Sequence, residues 1–407
     1  MNPIDPRSLR IADYTYELPD ARIARYPLEE RDQSKLLVYK EGTILEDQFV
    51  HLSQQLPADS LLVINNTRVI RARLLFRKES GSIIEIFCLE PNSRYADLST
   101  AMAQTGEVTW QCLVGGAAKW KNKVPLRLQV GAIVLQAELI SKNEDDFSIR
   151  FSWNESGLSF AEILQMAGQI PLPPYLGRVP EEPDEQNYQT LFASHSGSVA
   201  APTASLHFTD RVMKSLQDAG IQVCQLTLHV GAGTFMPVKS ETAGGHQMHQ
   251  EWIELSRDLI QKLISHQGPV IASGTTALRT LESIYWLGVK LLETPDLLPS
   301  DLVLGQWDAY SSVSSHSNEW VLTALLNWMQ INGLERFSTR TGIMIAPGYQ
   351  FRIVAALLTN FHQPQSTLLL LVAAFIGPDW KRVYSYALSH HFRFLSYGDG
   401  SLLWRAH

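Results

Sequence analysis

The chain has 407 residues, 45% hydrophobic and 18% charged, with a formal net charge of −7 and three cysteines. These values describe a globular protein with a substantial core and argue against a generally basic nucleic-acid binder. Any RNA contact is then a local patch, and the widely spaced Cys88, Cys112 and Cys224 fit a reducing cytoplasm without disulfides or a Cys-rich zinc site.

In chain order, Met1-Asn2-Pro3-Ile4-Asp5-Pro6 lacks an apolar core, so no secretory signal is expected. Residues 60–64 read as a short buried strand of the parallel kind, stopped by Asn65-Asn66-Thr67-Arg68. From 71 to about 151 the texture changes to short β-branched and aromatic runs at 83–89, 110–114, 130–140 and 147–151. Gly, Asn, Asp and Ser separate them, which predicts a small antiparallel barrel or sandwich. Beyond Asn154 helices and strands alternate: helix 210–219 then strand 221–228, helix 256–265 then strand 269–273. Further helices are expected at 276–287 and 366–375. The tract 287–341 is poor in motifs apart from an amphipathic helix near 319–330. The apolar run 368–376 is too short to cross a bilayer and reads as a buried helix, so no membrane association is expected. The fold predicted is α/β: a discontinuous, mainly parallel α/β domain of residues 1–70 and 155–407, carrying an inserted antiparallel β-barrel domain of 71–154.

Three segments place a His and a Thr among apolar neighbours close to a strand end. They are Val199 to Thr209 with Thr203 and His207, Leu226 to Phe235 with His229, Gly231, Gly233 and Thr234, and Leu358-Thr359-Asn360-Phe361-His362. Burying such groups is costly without partners, so their recurrence points to a site. Each His alone is also compatible with a hydrogen-bonded core residue. His246-x-x-His249-x-Glu251 adds two imidazoles and a carboxylate. The spacing is not that of a zincin helix, and acid–base or ligand-contact roles suit it better than a metal site, although a His-dependent metallo-hydrolase remains an alternative. Gly231-Ala232-Gly233 does not complete a dinucleotide fingerprint, since Met236 stands where the third glycine belongs and Pro237 blocks a helix there. The same turn would allow a nucleoside to approach the backbone closely. Gly274-Thr275-Thr276, between a strand and a helix, offers free N–H groups to a carboxylate or phosphate, or is simply a capped helix. Arg68, Arg71, Arg73, Arg77 and Lys78 form one basic face, and Lys119-Trp120-Lys121-Asn122-Lys123 interleaves charge with an aromatic ring. Both suit RNA, and both suit a solvated surface.

Ordered motifs along nearly the whole chain carry a family resemblance. They are Ile23-Ala24-Arg25-Tyr26-Pro27-Leu28, Asn65 to Ile70, Ile170-Pro171-Leu172-Pro173-Pro174-Tyr175, Tyr188-Gln189-Thr190, Val199 to Thr209 and Leu228 to Phe235. Further on come Met248 to Trp252, Gly274-Thr275-Thr276, Pro347-Gly348-Tyr349, Thr359 to His362 with Ser366-Thr367-Leu368, and Phe394 to Asp399. Together they resemble the S-adenosylmethionine:tRNA ribosyltransferase-isomerases of the queuosine pathway. The resemblance implies transfer and isomerisation of the ribosyl moiety of S-adenosylmethionine onto 7-aminomethyl-7-deazaguanine at the tRNA wobble position. Epoxyqueuosine-tRNA, adenine and methionine would be the products, with S-adenosylmethionine as donor substrate and no metal. It implies a cytoplasmic enzyme, expected to be a monomer, with tRNA as partner. It assigns acid–base work to two of His207, His229 and His362. Substrate contacts fall to Thr203, Thr209, Gly231, Gly233, Thr234, His246, His249, Glu251, Thr275, Thr276, Asn360, Tyr397 and Asp399. Thr275 and Thr276 take the methionine carboxylate, and Arg68, Arg71, Arg73 and Arg77 take tRNA. The chain departs from the family pattern at Asn66 and Ala355, where the family carries Asp, at Ser205 for Gly, and at Gln363 for Leu. A divergent, non-catalytic paralogue that binds tRNA or nucleoside is the alternative those positions suggest.

Overall fold

The protein was analysed as a computed structural model that describes residues 5–78, 80–95, 97–120, 124–143, 146–231, 238–311 and 315–406. Among these, the early strands are Lys35–Lys40 (β1), Thr43–Gln48 (β2), Leu61–Asn65 (β3) and Thr67–Val69 (β4). Next come Arg73–Arg77 (β5), Ile83–Pro91 (β6), Glu107–Gly115 (β7), Leu126–Val130 (β8), Ile133–Lys142 (β9) and Phe147–Trp153 (β10). The remainder are His195–Ser198 (β11), Gln222–His229 (β12), Glu251–Ser256 (β13), Val270–Ser273 (β14), Arg336–Thr341 (β15), Val354–Asn360 (β16) and Gly400–Trp404 (β17).

Nine of these strands form one sheet in the order β15-β13-β12-β3-β14-β16-β17-β1-β2. Its centre, β12-β3-β14-β16, is parallel throughout. Both flanks are mixed in, with antiparallel pairs at β15-β13, β13-β12, β16-β17 and β1-β2. The sheet is therefore less parallel than the alternation of elements suggested. One cause is local: β1 and β2 are joined by Glu41-Gly42, both at positive φ (47° and 77°). That is a two-residue hairpin, and parallel pairing would need a long crossover instead. A short parallel pair, β4 with β11, bridges the two larger units.

The second sheet runs β5-β6-β7-β10-β9-β8, antiparallel at every step, with its end strands β5 and β8 lying against one another. The result is a nearly closed, barrel-like unit. Its inner face alternates with period 2, as in the buried Leu74 and Phe76 of β5 or Ile84, Ile86 and Cys88 of β6. The helix Phe160–Ala167, started by a Ser159–Glu162 capping box, docks Phe160 onto Trp110 and Phe151 at ring distances of 5.0 and 5.4 Å. The three cysteines are free and buried.

Helices cover the large sheet. The helix Thr275–Glu293 is buried on nearly every side. Its Glu282 is fully buried and accepts hydrogen bonds from Tyr349 Oη (2.9 Å) and from the N–H groups of Arg352 (2.9 Å), Ile353 (3.0 Å) and Val354 (3.0 Å). Desolvation raises the Glu282 pKa while those donors oppose the rise. The carboxyl thus anchors the start of β16. The apolar run at 368–376 is the buried helix Thr367–Ile376. Among the described residues no helix is long and apolar enough to cross a membrane.

Candidate active site

The C-terminal ends of the four parallel strands lie along one edge, the position where open α/β sheets form ligand crevices. A cleft of about 1440 Å³, partly open to solvent, sits there. Its walls come from the segments that follow β12, β14 and β16, together with the 200–204 turn, residues 343–345 and residues between His246 and Glu251.

Asn65, the last residue of β3, braces the site. Its Nδ2 donates to Leu228 O (2.9 Å) and Thr276 Oγ1 (3.3 Å), while its Oδ1 accepts from the N–H groups of Thr67 and Leu228 (both 3.1 Å). The amide is fully satisfied and ties β12 to the helix start. Gly274 follows β14 with φ 93°, a conformation that disfavours any side chain. Its N–H donates to Leu358 O at 2.7 Å, and the chain then turns straight into the helix Thr275–Glu293. Thr275 and Thr276 therefore line the cleft at a helix N-terminus. One turn on, Arg279 also lines it and forms a buried ion pair with Glu251, the first residue of β13. Glu251 accepts a second hydrogen bond from Gly231 N (3.2 Å), and Arg279 Nε donates to Ile343 O (3.3 Å).

The three histidines separate. His362, just past β16, lines the cleft. Its Nε2 pairs with Thr359 Oγ1 at 2.9 Å, its N–H donates to Tyr384 Oη (3.1 Å), and its carbonyl accepts from Tyr16 Oη. His207 lies one layer behind. Asn360 Nδ2 approaches its Nε2 (3.4 Å), and its Nδ1 faces Ser34 Oγ (3.0 Å) and Arg31 O (3.3 Å). A carbonyl can only accept, so the ring proton belongs on Nδ1 and Nε2 accepts from Asn360. Asn360 Oδ1 in turn accepts from Thr203 Oγ1 (2.8 Å), so His207 fixes which face of the amide looks into the cleft. His229, at the end of β12, pairs with Thr67 Oγ1 (3.0 Å) and packs against Gly197, away from the cleft lining. Desolvation lowers all three imidazoles to a pKa of about 4, leaving them neutral near pH 7.

Of the other expected contacts, Thr203, Gly231, His246, His249, Glu251, Thr275, Thr276 and Asn360 all line the cleft. Burial, then neighbouring His249, lowers the His246 pKa. Gly233 and Thr234 lie outside the described residues, as does part of the 119–123 stretch. Three residues are engaged elsewhere. Thr209 caps the helix Asp210–Asp218 and donates to Asp32 Oδ2 (2.5 Å), and Tyr397 Oη donates to Asp184 Oδ1 (3.2 Å). Asp399 accepts from the N–H groups of Arg393 (2.7 Å) and Lys35 (3.1 Å). Among the described residues no group of three His, Cys, Asp or Glu is placed to hold a metal ion. Glu251, the carboxylate of the suggested metal set, is committed to Arg279 and Gly231.

On the basic face, Arg71 pairs with Glu185 and Arg73 with Glu85, whereas Arg68 and Arg77 are exposed and form no ion pair among the described residues. Of the four departures from the family pattern, Gln363 lines the cleft. Asn66 instead accepts from Thr227 Oγ1 (2.8 Å) and donates to Gln225 Oε1 (3.1 Å), and Ser205 meets Ser273 at 3.0 Å. Ala355 sits within β16, off the cleft lining.

Sequence reasoning missed Arg279. An arginine four residues after Thr275 was the available signal: that spacing puts it on the helix face of the N-terminal threonine.

The sequence matches the family described as "Queuosine biosynthesis protein" over residues 11–403. A protein of Magnetococcus marinus named S-adenosylmethionine:tRNA ribosyltransferase-isomerase is 37% identical over 399 residues, covering 97% of this chain and 94% of that one. A protein of the same name from Trichlorobacter lovleyi is 37% identical over 400 residues, covering 97% and 99%. A crystal structure of S-adenosylmethionine tRNA ribosyltransferase from Thermotoga maritima aligns over 96% of this chain and 99% of that chain. The identity is 26% and the TM-score 0.46.

Proposed function

The chain belongs to the queuosine biosynthesis protein family, and on that premise we propose that it is an S-adenosylmethionine-dependent tRNA ribosyltransferase-isomerase. It moves the ribosyl part of S-adenosylmethionine onto 7-aminomethyl-7-deazaguanine at the wobble position of tRNA, giving epoxyqueuosine and releasing adenine and methionine. The observation that carries this reading, beside the relatives' names, is the composition of the cleft. Three imidazoles (His246, His249 and His362), a Thr–Asn pair, an uncapped helix start and a buried Glu–Arg pair converge where the parallel strands end.

The chemistry asks for a base near the sulfonium-activated ribose C5′ and an acid for the departing adenine. Of His207, His229 and His362, His362 is the one that lines the cleft, beside His246 and His249, and its neutral state suits it to accept a proton. His207 positions Asn360 rather than meeting substrate, and His229 braces the junction with β4. Because the sulfonium already activates C5′, the reaction calls on no metal. We assign tRNA contact to Arg68 and Arg77, which form no ion pair among the described residues, and to the 71–154 insertion that carries Arg77. The protein would act as a monomer in the cytoplasm, a setting that its free, buried cysteines support.

The test is incubation with S-adenosylmethionine and tRNA bearing the deazaguanine base, followed by nucleoside mass analysis. Free adenine and an epoxyqueuosine mass are expected. Binding of tRNA without either product would identify a non-catalytic paralogue.

A further inference from the structure

Arg279 has a feature that its ion pair does not use. It is 7% exposed, its Nη1 holds Glu251 and its Nε donates to Ile343 O, but Nη2 has no hydrogen-bond partner among the described residues. A buried guanidinium N–H without an acceptor is costly, of order 1–3 kcal/mol, and calls for a partner that arrives with a ligand. The same helix opens on the cleft without a side-chain cap, and the N–H groups of Thr275, Thr276 and Ala277 have no acceptor among the described residues. Helix Asp210–Asp218, helix Arg257–Ser265 and helix Thr367–Ile376 are all capped by their own Thr or Ser. Two sets of unused donors, one helical turn apart, thus belong to residues that line one cleft.

We propose that Arg279, through Nη2, is a further binding residue for the carboxylate of the donor's amino-acid end, beside the first turn of helix Thr275–Glu293 where that carboxylate was expected. This inference rests on S-adenosylmethionine being the substrate. A carboxylate fits better than a phosphate because Glu251 already sits on the guanidinium. The Arg279–Glu251 pair is neutral as a whole, so a dianion would meet the Glu251 charge, whereas a zwitterion adds no net charge and can turn its ammonium toward that carboxylate. The neighbouring wall of Ile343, Met344, Ile345 and Leu371 suits the methylene chain between the charged end and the sulfur. Arg279 is thus a binding residue, and Glu251 holds its guanidinium in place.

The wild-type protein can be tested directly by calorimetric titration with S-adenosylmethionine and with its decarboxylated analogue, which keeps adenosine, sulfonium and ammonium. The analogue should bind about 10- to 100-fold more weakly, the range expected when charged donors lose their acceptor. Arg279→Gln should weaken S-adenosylmethionine to a similar degree and leave 5′-methylthioadenosine, which lacks the amino-acid end, within about twofold. Equal wild-type affinities for donor and analogue would overturn the subsite and leave the donor assignment standing. So would equal weakening of both ligands by Arg279→Gln, or displacement of the donor by inorganic phosphate but not by methionine. If S-adenosylmethionine does not bind at all, the donor assignment itself falls and the subsite with it. Should Arg279→Gln not fold, because it leaves Glu251 buried and unpaired, the wild-type comparison alone decides.

Discussion

In the barrel-like sheet the inward positions are filled by Leu74, Phe76, Ile84, Ile86, Trp110, Ile149 and Phe151, and Thr109 and Ser148 are the buried polar residues of its described strands. At the C-terminal edge of the nine-stranded sheet the reverse holds. Asn65, Asn66, Thr227, Ser273, Thr359 and Asn360 are buried there and each is hydrogen-bonded: Asn65 to backbone, Asn66 to Thr227, Ser273 to Ser205, Thr359 to His362, and Asn360 to Thr203 and His207. An apolar core needs only volume and period, whereas each buried polar group must be partnered or it costs about 1–3 kcal/mol. One unit is therefore built to be stable under many sequences, and the other to hold particular atoms in particular directions. The cleft takes no lining residue from 71–154, so the two units can be probed separately.

The largest effect should come from the cleft. His362→Gln is expected to cut turnover about 10²- to 10⁴-fold while melting temperature and donor affinity stay close to wild type. A variant that loses stability in step with activity would make His362 a core residue like His207.

On the helix that docks onto the barrel, Phe160→Ala should cost about 3–5 kcal/mol of stability, as for other large-to-small changes in a packed core. Donor affinity should remain within about twofold, measured by titration below the unfolding transition. A parallel collapse of donor binding would show that the insertion is not separable and that the comparison above is wrong.

Acid should divide the units again. No histidine lies between residues 71 and 154, whereas His207, His229 and His362 all surround the cleft edge. Their folded pKa values, about 4, lie below the unfolded value near 6.5, so the unfolded chain binds more protons through that window. Stability then falls as pH drops from about 6.5 toward 4, by about 2 kcal/mol per histidine between pH 7 and pH 5. Hydrogen exchange at pH 5 should show amides of β12 and β16 losing protection before those of β6 and β7. Simultaneous loss would mean that the two sheets unfold as one cooperative body.

The smallest effect concerns RNA. Replacing Arg68 and Arg77 by Gln should reduce the slope of log affinity for tRNA against log salt by roughly two units, about one per lost phosphate contact. Replacing Arg71 and Arg73, which are held by Glu185 and Glu85, should change it less. Equal slopes for both pairs would place the RNA surface elsewhere.

Much of the fold was legible because periodicity and punctuation are local. The helices expected at 210–219, 256–265 and 366–375 are Asp210–Asp218, Arg257–Ser265 and Thr367–Ile376, each started by a Thr or Ser that caps it. The β-rich texture from 83 to 151 likewise became the strands of one sheet, since alternation along a strand is written residue by residue. The sequence also pointed to several residues that line the cleft, because polar residues inside apolar runs stand out wherever they fall. Which of those residues meet in space was decided by tertiary structure alone. His207 and His362 each have a Phe beside them and a Thr within three residues, yet one is placed behind Asn360 and the other lines the cleft. Arg279 shows no motif, and its unused donor exists only because β13 brings Glu251, 28 residues away, onto one side of its guanidinium. Local patterning fixes which faces are buried, but direction and partner depend on how distant strands align, and no single segment contains that information.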